Sequence, residues 1–370
     1  MKVICNRGAL LEALGVVGQA VPSRTPKPVL TCVKLQATSD ALVLTATDQE
    51  VAVRYTDAQV QVEQEGEALV PAGKFRDIVR ESVDDTLSIE LKGEQVIIKG
   101  GDSKFTVFTQ SVADFPGIAG FDGEPDVVVA GGVLKGLINR TSFAAAREGT
   151  RYAFNGVLTT VRDGRLTMVS TDGRRLAQAI GDADVRMEAD DPKKAPRSIV
   201  PTKALQLVEK LITDPEEEVK LQIKPNQVVV ATSQATLTTT LVEGQFPPFE
   251  DVIPKDNNKT MTAACGDFMS AVRRASLLTT EESKGVRMNF NSEGLKLTSR
   301  SPDAGEAEVN FACKFEGDDL EIGFNPQYLV EGLKAVQADE IKLELSATNR
   351  PGLLLGGDDF LYVLMPVTLQ

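Results

Sequence analysis

Apolar and polar residues alternate along most of the chain, as in Ala41-Leu42-Val43-Leu44-Thr45-Ala46-Thr47 and Val219-Lys220-Leu221-Gln222-Ile223. That period-two pattern belongs to strands with one covered face. Turn signals at Lys92-Gly93, Asp163-Gly164, Pro225-Asn226 and Ser292-Glu293-Gly294 separate such stretches, which makes them antiparallel meanders. Six segments, 6–20, 72–83, 131–147, 202–213, 266–279 and 325–337, change to a helical period. Leu10, Leu11 and Leu14 form the apolar face of the first, and Leu205, Val208 and Leu211 that of the fourth.

The helices recur. The first, third and fifth follow Lys2-Val3-Ile4, Asp126-Val127-Val128-Val129 and Thr260-Met261-Thr262, and their starts at Asn6, Gly131 and Gly266 lie 125 and 135 residues apart. The even helices follow Ala68-Leu69-Val70-Pro71, Ser198-Ile199-Val200-Pro201 and Ile322-Gly323-Phe324-Asn325, with Val70, Val200 and Phe324 spaced by 130 and 124. A third landmark closes each block: Asp114-Phe115-Pro116, Gln245-Phe246-Pro247 and Leu364-Met365-Pro366. Together these define a threefold repeat of about 125 residues. Within each block the order strand, helix, three strands occurs twice. We therefore expect an α+β fold of three domains, 1–120, 121–250 and 251–370, each a tandem duplication with two helices on one face of antiparallel sheet.

Composition narrows the chemistry. Hydrophobic residues are 42% and aromatics 5%, with no Trp, so aliphatic side chains fill the cores. His is absent, which excludes imidazole as base, acid or metal ligand. Cys5, Cys32, Cys265 and Cys313 form no CxxC pair, so neither a zinc ribbon nor a disulfide framework is implied, and a reducing cytoplasm fits. No phosphate loop, GxGxxG fingerprint, GxSxG elbow or EF-hand loop occurs. We expect no catalytic residues, no metal and no cofactor, and no apolar run is long enough to span a membrane.

The net charge of −13 argues against coating nucleic acid with the whole surface. The helical segments invert that balance. They hold twelve basic and six acidic residues, which puts +6 on the helices and −19 on the rest of the chain. A polyanion facing the helices would explain the segregation; so would the ordinary preference of Lys and Arg for solvated helix faces.

Several stretches carry a resemblance. Arg151-Tyr152-Ala153-Phe154-Asn155-Gly156, Thr171-Asp172-Gly173-Arg174-Arg175-Leu176-Ala177, Gln245-Phe246-Pro247, Phe324-Asn325-Pro326-Gln327-Tyr328-Leu329 and Tyr362-Val363-Leu364-Met365-Pro366-Val367-Thr368-Leu369 occur in this order within the threefold repeat. Over its whole length the chain resembles the bacterial DNA polymerase III beta subunit, or sliding clamp, family. The resemblance implies a head-to-tail homodimeric ring around duplex DNA, helices inward. Such a ring tethers the polymerase III catalytic subunit, other polymerases and repair proteins, and is loaded by a clamp loader complex.

It also implies site residues. A hydrophobic peptide-binding cleft would comprise Phe154, Thr171, Gly173, Arg174, Arg175, Leu176, Pro247, Val252, Asn325, Tyr328, Val363, Leu364, Met365, Pro366 and Val367. DNA-facing residues would be Arg24, Arg76, Arg80, Lys135, Arg140, Arg147, Lys203, Arg273 and Arg274, touching phosphates without reading sequence. At the dimer interface Phe105 and Val107 would meet Leu277 and Leu278, with Lys74, Lys99 and Lys104 near Asp303, Glu306 and Glu308. Two other readings stay open on the residues alone: an acidic three-domain peptide-binding scaffold that never encircles DNA, and an enzyme for which no residue is nominated.

Overall fold

In a computed structural model that describes residues 1–146, 152–186, 197–280 and 285–368, every repeat has the same order of elements. The first runs β1 Lys2–Asn6, α1 Arg7–Val17, β2 Cys32–Ala37, β3 Leu42–Thr47, β4 Val51–Asp57, β5 Val60–Gln64, β6 Gly66–Pro71, α2 Ala72–Glu81, β7 Thr86–Lys92, β8 Gln95–Lys99 and β9 Lys104–Phe108. The second runs β10 Val127–Ala130, α3 Gly131–Thr141, β11 Gly156–Arg162, β12 Arg165–Thr171, β13 Arg175–Asp182, β14 Asp184–Val185, β15 Arg197–Pro201, α4 Thr202–Leu211, β16 Glu218–Ile223, β17 Gln227–Ala231 and β18 Ala235–Thr240. The third runs β19 Lys259–Ala264, α5 Cys265–Ala275, β20 Val286–Asn291, β21 Gly294–Ser301, β22 Gly305–Phe311, β23 Lys314–Glu316, β24 Leu320–Phe324, α6 Pro326–Ala335, β25 Glu340–Leu345, β26 Gly352–Leu355 and β27 Phe360–Leu364.

All six expected helices form, and each stops short of its expected end. Hydroxyls compete for the last carbonyls. Ser82 Oγ donates to Ile78 O at 2.7 Å, Thr141 Oγ1 to Leu137 O at 2.7 Å and Ser276 Oγ to Arg273 O at 2.8 Å. The short strands β5, β14 and β23 are additional to the expected order, and pair with β1, β10 and β19.

The two halves of each repeat exchange strands. β1 leaves β2 and β3 to pair with β7, while β6 returns to pair with β2; β10 with β16 and β15 with β11, then β19 with β25 and β24 with β20, repeat the exchange. The result is two nine-stranded sheets, β14-β10-β16-β17-β18-β4-β3-β2-β6 and β15-β11-β12-β13-β27-β26-β25-β19-β23, and two smaller ones, β5-β1-β7-β8-β9 and β22-β21-β20-β24. Each long sheet crosses from one repeat to the next, through β18–β4 or β13–β27. The chain accordingly separates into two compact units, one holding the first long sheet and one the second.

Candidate functional site

The second long sheet is apolar on both faces. Leu158, Val169, Leu176, Ile199, Leu353 and Val363 are buried together with Phe249, and Ala153, Val242, Phe246 and Ile253 pack against them. Phe249 sits in a 3-10 turn at Phe249–Asp251 and meets Phe246 edge-on at 6.3 Å. At the rim, Val252 is 46% and Met365 40% exposed.

The turn between β12 and β13 forms the adjacent wall. Thr171 Oγ1 donates to Arg175 O at 2.6 Å and accepts from Gly173 N at 3.0 Å; Asp172 Oδ1 accepts from Arg174 N at 2.9 Å and Arg175 N at 3.1 Å. Gly173 takes φ +84° and lies against Phe154, a backbone state that a Cβ would strain. Met365 N donates to Arg174 O at 2.9 Å, which fixes the exposed methionine to the turn.

Expected cleft residues divide between the two sheet faces. Leu176 and Val363 are cross-strand partners on the apolar face; Arg175 and Leu364, the next pair along, point to the other face. There the Arg175 guanidinium is buried against α6. Its Nε donates to Asp172 Oδ2 at 3.0 Å, Nη1 to Glu331 and Nη2 to Phe143 O at 2.9 Å, and its Cζ lies 4.3 Å from the Tyr328 ring centroid. Burial opposes its charge, but the Tyr362 oxygen and the Glu331 carboxylate outweigh that and hold its pKa above the ordinary value. Tyr362, its pKa raised first by burial, donates to Tyr328 O at 3.1 Å. Arg175 and Leu364 thus lie on the α6 side of the sheet, with the half-buried Tyr328 ring over the guanidinium. Asn325 caps α6, its side chain accepting from Gln327 N at 2.9 Å. Gly173, Arg174, Phe154, Pro247, Val252, Met365, Pro366 and Val367 remain exposed or half-buried at the rim, and Thr171 is buried.

Sequence reading missed Phe249, Phe246, Leu158, Val169, Ile199 and Leu353. Their signal was loss of alternation, as in Leu353-Leu354 and Tyr362-Val363-Leu364, which marks strands covered on both faces. The ladders also locate the matching positions elsewhere in the repeat. The buried set Leu158, Val169, Leu176, Ile199, Leu353 and Val363 corresponds to Lys34, Thr45, Ala52, Leu69, Val229 and Thr238 in the first long sheet. In the smaller sheets it corresponds to Arg287, Thr298, Glu306, Gly323, Ile97 and Thr106. Of the two long sheets, only the second carries a wholly apolar set at these positions. In the first sheet polar groups pin the linker down instead: Thr238 Oγ1 donates to Ala119 O at 2.9 Å and Gln222 Nε2 to Glu124 O at 3.1 Å.

Comparison with known proteins accounts for the triplication. The models of the DNA polymerase III beta subunit N-terminal, central and C-terminal domains match residues 1–119, 128–248 and 250–368. The chain belongs to the DNA polymerase III beta subunit family. It is 33% identical to the beta sliding clamp of Vibrio cholerae serotype O1 and 35% identical to that of Pseudomonas putida, covering 100% of each chain. Among solved structures, the DNA polymerase III subunit beta of Pseudomonas aeruginosa matches with a TM-score of 0.93 at 33% identity, and the sliding clamp of Bacillus subtilis with 0.94 at 26%, each over 100% of both chains. A P. aeruginosa sliding clamp bound to griselimycin matches with 0.93 at 32%, also over 100% of both chains.

The basic residues expected to face DNA in this family member fall into classes. Arg24, Arg76, Arg273 and Arg274 are exposed and Lys135 is half-buried. Arg80 is tied to Asp77 at 3.1 Å and Glu81 at 2.9 Å, and Lys203 to Asp48. Arg140 differs from the rest: it is 5% exposed and its guanidinium pairs with Asp359 at 2.7 Å. Arg147 lies outside the described residues. At the free edges, Phe105 is 37%, Phe108 72% and Leu277 78% exposed, Val107 and Leu278 are half-buried, and Lys74, Lys99, Lys104, Asp303, Glu306 and Glu308 are exposed. Phe108 was not anticipated. No helix among the described residues is long and apolar enough to cross a membrane.

Proposed function

We propose that the protein is a DNA sliding clamp. In this reading two copies close head-to-tail into a ring of six domains, with boundaries near 1–120, 121–250 and 251–370, encircle duplex DNA in the cytoplasm, and tether the replicative polymerase and repair proteins without catalysis of their own. A clamp loader supplies the ATP-driven opening for which the chain has no phosphate loop.

One observation carries the ring. Each long sheet joins a five-strand half to a four-strand half, and the two sheets left over have five strands ending at β9 and four ending at β22. A second copy supplies the missing halves, and bare edges are a liability that pairing removes. The internal junctions also predict the register. Thr236 faces Arg54 in one and Leu361 faces Gln178 in the other; the same step places Lys104 opposite Glu308 of the partner subunit, with Val107 beside Leu278, which lies 3.9 Å from the position a Gly305 Cβ would take.

The cleft supports the tethering role. Its apolar floor and two exposed apolar rim residues suit a short peptide with apolar anchors, and griselimycin, bound by the P. aeruginosa relative, is a ready probe. The decisive test is topological. Loaded clamps should stay on circular DNA through moderate salt and leave once the DNA is linearised; equal retention on both, or a monomer by size measurement, overturns the reading and favours a scaffold that does not encircle DNA.

A further inference from the structure

The buried pair between Arg175 and Glu331 sits where the second repeat meets the third, at a place that is filled without charge where the first repeat meets the second. Counting along the ladders and helices, Arg175 corresponds to Val51, Tyr328 to Ala204, Glu331 to Leu207, Gly332 to Val208 and Tyr362 to Leu237. Val51 is 1% and Leu207 7% exposed. Both repeats also build the same turn. Thr47 Oγ1 donates to Val51 O at 2.9 Å and accepts from Gln49 N at 2.9 Å, while Asp48 Oδ1 accepts from Glu50 N at 3.0 Å and Val51 N at 2.8 Å. Gln49 takes φ +82°, close to the +84° of Gly173.

The fold therefore needs the turn but not the ion pair. A buried pair is generally no more stabilising than apolar residues of similar volume, because desolvation offsets the attraction. Something other than stability accounts for an ion pair at the β13–β27 junction where the β18–β4 junction has none. That junction is also the one whose sheet face is apolar and beside which Val252 and Met365 are left in water.

The contacts show what the pair does. Arg175 Nε holds Asp172 Oδ2, while the other oxygen of that carboxylate holds Arg174 N and Arg175 N. Glu331 holds the far side of the guanidinium, and its second oxygen accepts from Gln327 Nε2 at 3.2 Å. The layer around it is cut to fit. A Cβ on Gly332 would lie 2.4 Å from the Tyr362 ring, so only glycine lets α6 approach closely enough. Arg174 carries the carbonyl that anchors Met365 N.

We propose that Glu331, acting through Arg175, is a positioning residue of the peptide cleft, and that this pair sets the rim geometry at which an apolar peptide anchor is recognised. The proposal rests on the cleft reading above.

The test is griselimycin binding to the full-length protein, with melting temperature and dimer size measured alongside. Arg175→Met with Glu331→Leu should keep the fold and dimer and weaken binding about tenfold or more. Glu331→Gln, which keeps shape and removes charge, should weaken it by about threefold or more, and Glu331→Asp should recover part of the loss. Unchanged affinity in a folded double variant overturns the proposal. If the double variant does not fold, unchanged affinity in Glu331→Gln overturns it equally. The rim variant Met365→Ala with Val252→Ala separates the two ideas. If it binds like the wild type, or the wild type itself does not bind, the cleft assignment fails; if it loses binding while the pair variants do not, only the positioning role fails.

Discussion

At the scale of single residues, burial decides what a charge can do. Arg140 lies on a helix with Lys135 and reads from sequence as a second phosphate contact, yet its guanidinium is paired with Asp359 and 5% exposed. Arg140→Met should therefore lower stability by about 1–3 kcal/mol, read as a fall in melting temperature, and leave the salt dependence of DNA binding unchanged. Arg273→Ala with Arg274→Ala should do the reverse, flattening the log–log salt slope by about 0.9 for each phosphate no longer neutralised. Asp57 is a different case: 4% exposed, with Oδ1 accepting from Gln59 N at 2.8 Å and Oδ2 without a hydrogen bond. Burial raises its pKa, so the folded chain holds this proton more tightly than the unfolded chain. Its contribution to stability falls as pH rises from the ordinary carboxylate range to that higher value. Asp57→Asn should then raise the melting temperature at about pH 7 and lose that advantage near pH 3.

At the scale of elements, the period of the hydrophobic pattern was sufficient for every helix and most strands, because amphipathicity is a local property. It overran the helix ends, since Ser82, Thr141 and Ser276 stop their helices through side-chain bonds that no periodicity encodes. It missed β5, β14 and β23, which are short and pair with a strand far away in sequence. Edge pairing supplies the prediction here. Lys104→Glu should weaken the dimer about three- to tenfold on dilution, measured by sedimentation, because it opposes like charges. Adding Glu308→Lys should restore it if the transferred register is right. Glu308 already meets Lys296 at 2.7 Å within its own chain, so the rescue will be partial.

At the scale of the whole molecule, the proposed function is topological rather than adhesive. A chain at −13 should bind free DNA weakly and with steep salt dependence, and retention on circular DNA should outlast that binding. The threefold repeat, the helix-borne positive charge and the absence of histidine chemistry were determined by the sequence alone, because each is a matter of residue type and spacing. The strand exchange between halves, the continuation of sheets through β18–β4 and β13–β27, and the apolar face carried by one of the two long sheets were decided only in the tertiary structure. The physical reason is that backbone hydrogen bonds carry no sequence label. Which strand completes a sheet, and which face of it stays open to a peptide, depends on side chains brought together from distant parts of the chain.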